Sequence, residues 1–278
     1  MNSRRPPSGG RRPRPAPSAA PGGAPDNRRA PRIDLDDVIY GIHAVSEALA
    51  AGEVLKKIHV GDDRKKDPAL RELLERARDA NAVVRFEQRA FFNAFPYKAH
   101  QSIVAFGAPF DYITLEEAIA KRPQGKPGLW LILDHVTDPH NVGAMIRTAE
   151  CAGAAALVLP ERRSAGVNAT VRKAAAGAAA YLPIARVANV AQSIRVMKKA
   201  GIWVAGAALA EQTVDYTKAD FNRDIAIVIG AEGTGISSLV ARECDYLVSI
   251  PMAGKVASLN ASVAAAVLMY EALRQRSA

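Results

Sequence analysis

Cysteine is almost absent from the sequence, which contains only Cys151 and Cys244. Two thiols this far apart do not make a disulfide framework or a zinc site, so we expect a protein of the reducing cytoplasm. Apolar runs long enough to span a membrane are also missing, and no hydrophobic signal core follows Met1. These absences predict a soluble cytoplasmic protein without a membrane partner.

Large hydrophobic side chains are missing from the N-terminal segment 1–32, which has no Val, Ile, Leu, Phe, Tyr or Trp but eight prolines. The segment holds eight arginines against one aspartate and therefore carries most of the net charge of +9. Because a chain with so little to bury does not fold alone, we assign residues 1–37 to a disordered tail. Its arginines either attract RNA phosphates or form an inert extension, and both interpretations stay open.

Two regions with different patterns follow the tail. From 38 to 108, short apolar runs alternate with helical patterns, which predicts a small α/β domain. This region has no catalytic constellation, so we expect it to bind or position a substrate. Residues 109–128 combine a short helical pattern with a mixture of Pro, Gly and Lys, which is typical of a linker.

The region 129–278 begins with a nearly continuous apolar run, LWLILD, that ends at Asp134. Strands then alternate with helices, and this pattern predicts a mainly parallel sheet with helices on both faces. After the first strand, Asp138 is a good N-cap and Pro139 suits the first helical position. This turn therefore presents Asn141 and Arg147 at the start of a helix.

Fingerprints of two common cofactor sites are absent from this region. The turn after LWLILD has no GxGxxG, which excludes the usual dinucleotide-binding loop. The glycine-rich segment GAEGTG, 230–235, lacks the Lys-Ser/Thr pair of a phosphate-binding P-loop. Its glycines indicate that the backbone bends sharply or closely approaches a ligand. Glu232 is then either a neighbour of a helix N-cap or a carboxylate beside that ligand.

The last strand and helix form a further candidate site. The strand 246–250 stops at Pro251, and a loop then leads to Ser258, Asn260 and a long apolar helix. Either Ser258 or Asn260 can cap this helix, whose first N–H groups form a donor-rich pocket beside the end of a strand. The helix is apolar on more than one face in its first half.

Three stretches, 141–147, 227–235 and 250–264, together resemble the signature motifs of the SpoU-type, or SPOUT, RNA 2′-O-ribose methyltransferases. The chain is most similar to the bacterial enzymes that methylate a guanosine ribose in 23S ribosomal RNA. The resemblance implies a deep trefoil knot in the C-terminal domain, S-adenosylmethionine as methyl donor, and a homodimer packed through that domain. It also implies that the region 38–108 binds the RNA substrate.

The resemblance also implies the site residues, position by position. It places the reaction centre at Asn141, Arg147, Glu232, Ser258 and Asn260. It places the cofactor against the main chain of Ala207, Gly230, Ile250, Met252 and Leu259. No metal is expected. Since a guanidinium does not readily take a proton, we expect Arg147 to polarise the hydroxyl, stabilise the alkoxide or hold a phosphate, while Glu232 orients it or accepts the proton.

Other functions remain as alternatives. The acceptor RNA can be a transfer RNA, or the chain can be a non-catalytic RNA-binding module of the same fold. Such a module is free to lose Arg147, Glu232 or Asn260, and all three are present. Four basic residues either line an RNA path or belong to a solvated surface, namely Arg162, Arg163, Arg172 and Lys173. Because proteins read RNA sequence best where bases are unstacked, the expected acceptor is a ribose in a hairpin loop. The resemblance implies that this is the loop guanosine of 23S ribosomal RNA in the peptidyl-transferase centre.

Overall fold

The computed structural model describes residues 38–93, 95, 100–107, 109–210 and 212–277. These residues belong to one compact unit. The disordered tail predicted for 1–37 lies outside the described residues.

In the described part of the chain, the first region is a four-stranded sheet with helices. Its strands are β1 Val38–Tyr40, β2 Leu55–Gly61, β3 Val83–Glu87 and β4 Ile103–Gly107, in the order β1-β4-β2-β3. The helices are α1 Ile42–Ala50, α2 Ala69–Asp79 and α3 Arg89–Phe92. Apolar residues at helical spacing on α1 and α2 pack against one face of the sheet, with Leu70 and Leu73 meeting Ile58 and Val60. The small α/β fold expected here is therefore observed.

The second region is a seven-stranded sheet of described residues, in the order β7-β6-β5-β10-β8-β11-β9. Its strands are β5 Leu129–Asp134, β6 Ala156–Pro160, β7 Ile184–Val187, β8 Trp203–Ala207, β9 Val214–Asp215, β10 Ile225–Gly230 and β11 Tyr246–Ser249. Its helices are α4 Leu115–Ala120, α5 Pro139–Cys151, α6 Ala169–Ala174, α7 Val190–Lys199, α8 Ser238–Glu243 and α9 Ala261–Arg276. Each recorded pairing between these strands is parallel.

Two apolar cores cover the two faces of the larger sheet. On β5, Leu129, Leu131 and Leu133 join the core beneath α5, α6 and α9. Trp130 and Ile132 point the other way, into the core beneath α4, α7 and α8. A strand buried on both faces has to be apolar along its whole length, which explains why LWLILD does not alternate. The predicted parallel sheet with helices on both faces is confirmed, whereas the trefoil knot stays a prediction.

The segment expected to be a linker is packed against the larger sheet. Thr114 and Glu117 form a capping box at the start of α4, which fixes where this short helix begins. The indole N–H of the buried Trp130 donates to the carbonyl of Ala118 at 2.8 Å. The N–H of Ile113 also donates to the carbonyl of Ile184 at 3.0 Å. These bonds place the chain that leaves the smaller sheet on the edge of the larger one.

None of the helices formed by the described residues combines the length and apolar character that crossing a membrane requires.

Candidate active site

The predicted site residues follow neighbouring strands of the larger sheet. β5, β10, β8 and β11 lie side by side and run parallel, so their carboxyl ends meet at one edge. Ala207 ends β8, Gly230 ends β10, and Ile250 follows β11. The three motifs predicted from the sequence therefore approach the same edge.

A sharp turn follows β10 at this edge. The N–H of Gly235 donates to the carbonyl of Ala231 at 2.9 Å, and Gly233 and Gly235 have φ angles of +78° and +67°. A Cβ atom on Gly230 would lie 2.0 Å from the carbonyl carbon of Gly235, so the turn folds directly over Gly230. The sharp bend of the backbone is therefore sufficient to explain why GAEGTG contains these glycines.

Asp134 anchors the far end of that turn. Its carboxylate is 1% exposed at the end of β5 and accepts the N–H of Ser237 at 2.7 Å. The other carboxylate oxygen lies 2.6 Å from Nδ1 of His135. Asp134 lies outside the three motifs predicted from the sequence. An acidic residue at the end of an otherwise apolar strand is the signal that could have identified it.

Helix α5 positions Asn141 in its first turn. The carboxylate of Asp138 caps the helix by accepting the N–H of His140 at 2.9 Å, and Pro139 occupies the first turn, both as predicted. Asn141 is only 6% exposed, on the same side of the helix as the core residue Met145. The cap therefore places a polar amide at the inner edge of the site.

Side chains of the three motifs meet in one hydrogen-bonded network. Nδ2 of Asn141 donates to Oε1 of Glu232 at 3.0 Å. Nδ2 of Asn260 donates to Oδ1 of Asn141 at 2.9 Å and also to Oε1 of Glu232. One carboxylate oxygen thus receives two amide donors, while Oε2 of Glu232 has no hydrogen-bond partner among the described residues.

Asn260 has a second role as the N-cap of α9. Its Oδ1 accepts the N–H groups of Ser262 at 2.9 Å and Val263 at 3.3 Å. Ser258 is exposed and makes no hydrogen bond with another described residue. Of the two capping residues considered, Asn260 is therefore the one that caps the helix. Ser258 lies in the adjoining loop.

Arg147 makes no hydrogen bond to the network of Asn141, Glu232 and Asn260 in its own chain. It follows Asn141 by six residues on α5, which is about 9 Å along the helix axis and on a different side. The side chain is exposed and has no hydrogen bond or ion pair with any described residue. Its guanidinium is therefore available to an anionic group that comes from outside.

Beside the network, exposed apolar residues line the loops that follow β8 and β11. Leu209 is 63% exposed, Val256 is 74% exposed and Leu259 is 37% exposed, while Met252 is half-buried. Apolar side chains next to exposed main chain suit a ligand that buries apolar area and forms main-chain hydrogen bonds. Within the described ranges, no group of three His, Cys, Asp or Glu side chains is arranged to hold a metal ion.

The chain matches two protein-family profiles. Residues 128–270 match the SpoU rRNA Methylase family, and residues 38–113 match the RNA 2′-O ribose methyltransferase substrate-binding family. These ranges contain the larger and the smaller sheet, respectively.

Relatives and solved structures agree with the profiles. A protein of Synechocystis named as a tRNA/rRNA methyltransferase is 42% identical over 86% of this chain, which spans 63% of that relative's length. A Staphylococcus aureus protein named in the TrmH family of tRNA/rRNA methyltransferases is 40% identical over 87% of this chain and 97% of its own length.

Among solved structures, the SpoU methyltransferase AviRb from Streptomyces viridochromogenes, in complex with the cofactor AdoMet, is similar with a TM-score of 0.73. It is 27% identical over 87% of this chain and 90% of its own. An AdoMet-bound rRNA methyltransferase from Sinorhizobium meliloti has a TM-score of 0.71 at 27% identity, over 85% of this chain and 86% of its own.

Proposed function

This chain belongs to the SpoU family of RNA 2′-O-methyltransferases, and on that premise we propose that it methylates the ribose 2′-hydroxyl of a guanosine in 23S ribosomal RNA, with S-adenosylmethionine as methyl donor. The observation that carries this proposal is the network of Asn141, Glu232 and Asn260, which unites all three predicted motifs at one sheet edge. In this proposal residues 38–108 select the RNA and residues 129–278 catalyse methyl transfer. Residues 109–128 connect the two regions.

The edge of the larger sheet fits S-adenosylmethionine. We assign the main chain of five residues to its methionine and adenine parts, namely Ala207, Gly230, Ile250, Met252 and Leu259. The exposed Leu209 and Val256 supply apolar cover for the adenine ring. When bound, the cofactor supplies a methyl group that its sulfonium already activates.

The side chains around the 2′-hydroxyl have to position it and remove its proton. The amides of Asn141 and Asn260 hold Oε1 of Glu232, so the orientation of the carboxylate is fixed. Its Oε2, which has no hydrogen bond among the described residues, can accept the proton of the 2′-hydroxyl. The bound cofactor would supply the methyl group to the 2′-oxygen, and Glu232 would accept the proton that this oxygen loses. Arg147 stabilises the developing alkoxide or holds the adjacent phosphate.

A homodimer through α9 is part of this proposal. Val263 and Tyr270 are 47% and 50% exposed on one face of the helix, with the half-buried Val267 between them. The opposite face, which includes Leu268 and Met269, is buried in the core. A row of apolar residues at positions i, i+4 and i+7 on the outer face is suited to pack against a second copy.

Light scattering tests the dimer. Wild-type protein at micromolar concentration is expected to scatter as a dimer, and Tyr270→Glu as a monomer because it places a charge in the apolar face. A wild-type protein that scatters as a monomer and still transfers methyl groups fully would contradict the proposed homodimer.

Transfer RNA is the second candidate acceptor, because the relatives are named as tRNA/rRNA methyltransferases. Transfer of labelled methyl groups to a 23S transcript and to a transfer RNA pool distinguishes the two. The protein should label the 23S loop guanosine, whereas Glu232→Gln should lose transfer. Glu116→Gln is the matched control, because Glu116 is exposed on α4 outside the site. Labelling of transfer RNA alone would show that the proposed 23S target is wrong.

A further inference from the structure

A partly buried ion pair joins the region of the smaller sheet to helix α6, which packs on the larger sheet. Nη1 of Arg172 donates to Oε2 of Glu53 at 2.6 Å, with side-chain exposures of 5% and 26%. Glu53 follows α1, and the guanidinium carbon of Arg172 lies 5.2 Å from the ring centre of Phe110. Nearby, the hydroxyl of Tyr181 donates to Glu47 of α1 at 2.7 Å. The basic side chain at 172, expected either to line an RNA path or to lie on a solvated surface, is therefore buried inside the protein, and both expectations were wrong for Arg172.

Stability alone is a poor explanation for this pair. Nε of Arg172 is buried without a hydrogen-bond partner among the described residues, so the guanidinium is incompletely satisfied. Buried ion pairs lose hydration, and apolar residues of similar volume often stabilise a protein as well or better. An apolar contact has no preferred direction, whereas the hydrogen bond at 2.6 Å requires the N–H of Arg172 to point towards Oε2 of Glu53.

Helix α6, whose position the bond between Arg172 and Glu53 restricts, packs directly against the helix that carries Asn141. A Cβ atom on Gly143 would lie 2.4 Å from Cβ of Ala174 and 2.6 Å from the carbonyl oxygen of Val171, so α5 and α6 touch through their backbones. Gly143 is two residues from Asn141 on α5. Because closely packed backbones move together, a shift of α6 displaces Asn141 and its bonds to Glu232 and Asn260.

We propose that Arg172 is a positioning residue for methyl transfer. With Glu53 it fixes the orientation of the smaller sheet region relative to α6, and thereby the place of the bound RNA relative to Asn141. This inference rests on the proposed function, because it needs an RNA held by one region and modified by the other. Its effect is on the RNA step and leaves the binding of S-adenosylmethionine unchanged.

Replacing the pair by apolar residues separates orientation from stability. The variant combines Glu53→Leu with Arg172→Met, which keeps the side-chain volume close to that of the wild type. We expect it to melt within a few degrees of the wild type, or above it, and to bind S-adenosylmethionine as tightly. Its kcat/KM for a 23S transcript should fall about 10- to 100-fold, the scale of a small misplacement of reacting groups.

The matched control removes an ion pair inside the smaller sheet region. Arg76 and Glu72 pair at 2.6 Å on α2, with side-chain exposures of 35% and 70%, and Glu72→Leu with Arg76→Met should leave RNA transfer unchanged. An apolar Glu53/Arg172 variant with wild-type kcat/KM overturns the inference. So does a variant that melts earlier but whose folded fraction transfers normally. If the wild-type protein methylates neither RNA, the proposed function fails and this inference falls with it.

Discussion

Removal of the Asn260 side chain is expected to disturb both folding and methyl transfer, because this residue caps α9 and also joins the network. Asn260→Ala loses the cap, which is worth about 1 kcal/mol. It also loses two amide donor bonds, to Asn141 and Glu232, worth about 0.5–1.5 kcal/mol each. The expected loss of stability is therefore about 2–4 kcal/mol in total, since hydrogen bonds add only approximately.

Asn189→Ala provides the matched control, since Asn189 caps α7 by accepting the N–H of Gln192 at 3.0 Å and lies outside the network. For a chain of this size, about 1 kcal/mol corresponds to roughly 2–4 °C in Tm. Scanning calorimetry should therefore show a decrease of about 2–4 °C for Asn189→Ala and about 4–16 °C for Asn260→Ala.

Methyl transfer separates the two roles of Asn260. Asn189→Ala should keep wild-type kcat, while Asn260→Ala should lose about 100-fold because the carboxylate of Glu232 is no longer held. Asn260→Ser keeps a capping oxygen without the amide donors, so it should recover about 1 kcal/mol of the lost stability but little of the activity. The reasoning is refuted if Asn260→Ala loses no more stability than Asn189→Ala and still transfers methyl groups at the wild-type rate.

Three further predictions use other parts of the chain. Arg147→Ala should keep the wild-type Tm and cofactor affinity but lose about 100-fold in the rate of methyl transfer. Arg147→Lys should also transfer slowly, because a point charge does not reproduce the planar guanidinium. Near wild-type turnover would remove Arg147 from the mechanism. Burial raises the pKa of Cys244 to about 12 whereas Cys151 is exposed, so mass spectrometry should find that iodoacetamide at about pH 8 alkylates Cys151 alone. Burial lowers the pKa of His59 below 6.5, so the stability held by its neutral form is complete above that pH and decreases as the pH falls below it. The Tm of the wild type should consequently decrease more than that of His59→Gln between about pH 7.5 and about pH 5.5. Equal decreases would contradict the lowered pKa of His59.

The local structure of this chain was determined by the sequence itself. A run such as LWLILD is apolar on both faces and so predicts a buried parallel strand. The cap at Asp138 and the proline after it predict where α5 begins, because these residues satisfy or dispense with the free N–H groups of a first helical turn. The order and spacing of the three motifs were also sufficient to identify the family.

Contacts between distant residues were decided only by the tertiary structure. Asn141 is separated from Glu232 by 91 residues and from Asn260 by 119, and nothing in their spacing specifies one shared hydrogen-bonded network. The choice between Ser258 and Asn260 as the helix cap depended on where the loop after β11 turns. Arg172 showed the limit most clearly, because a basic residue beside Lys173 resembles an RNA-binding surface until the fold places Glu53 against it. Helix and strand patterns express local backbone preferences, whereas the partner of a polar side chain is set by how the sheets and helices pack.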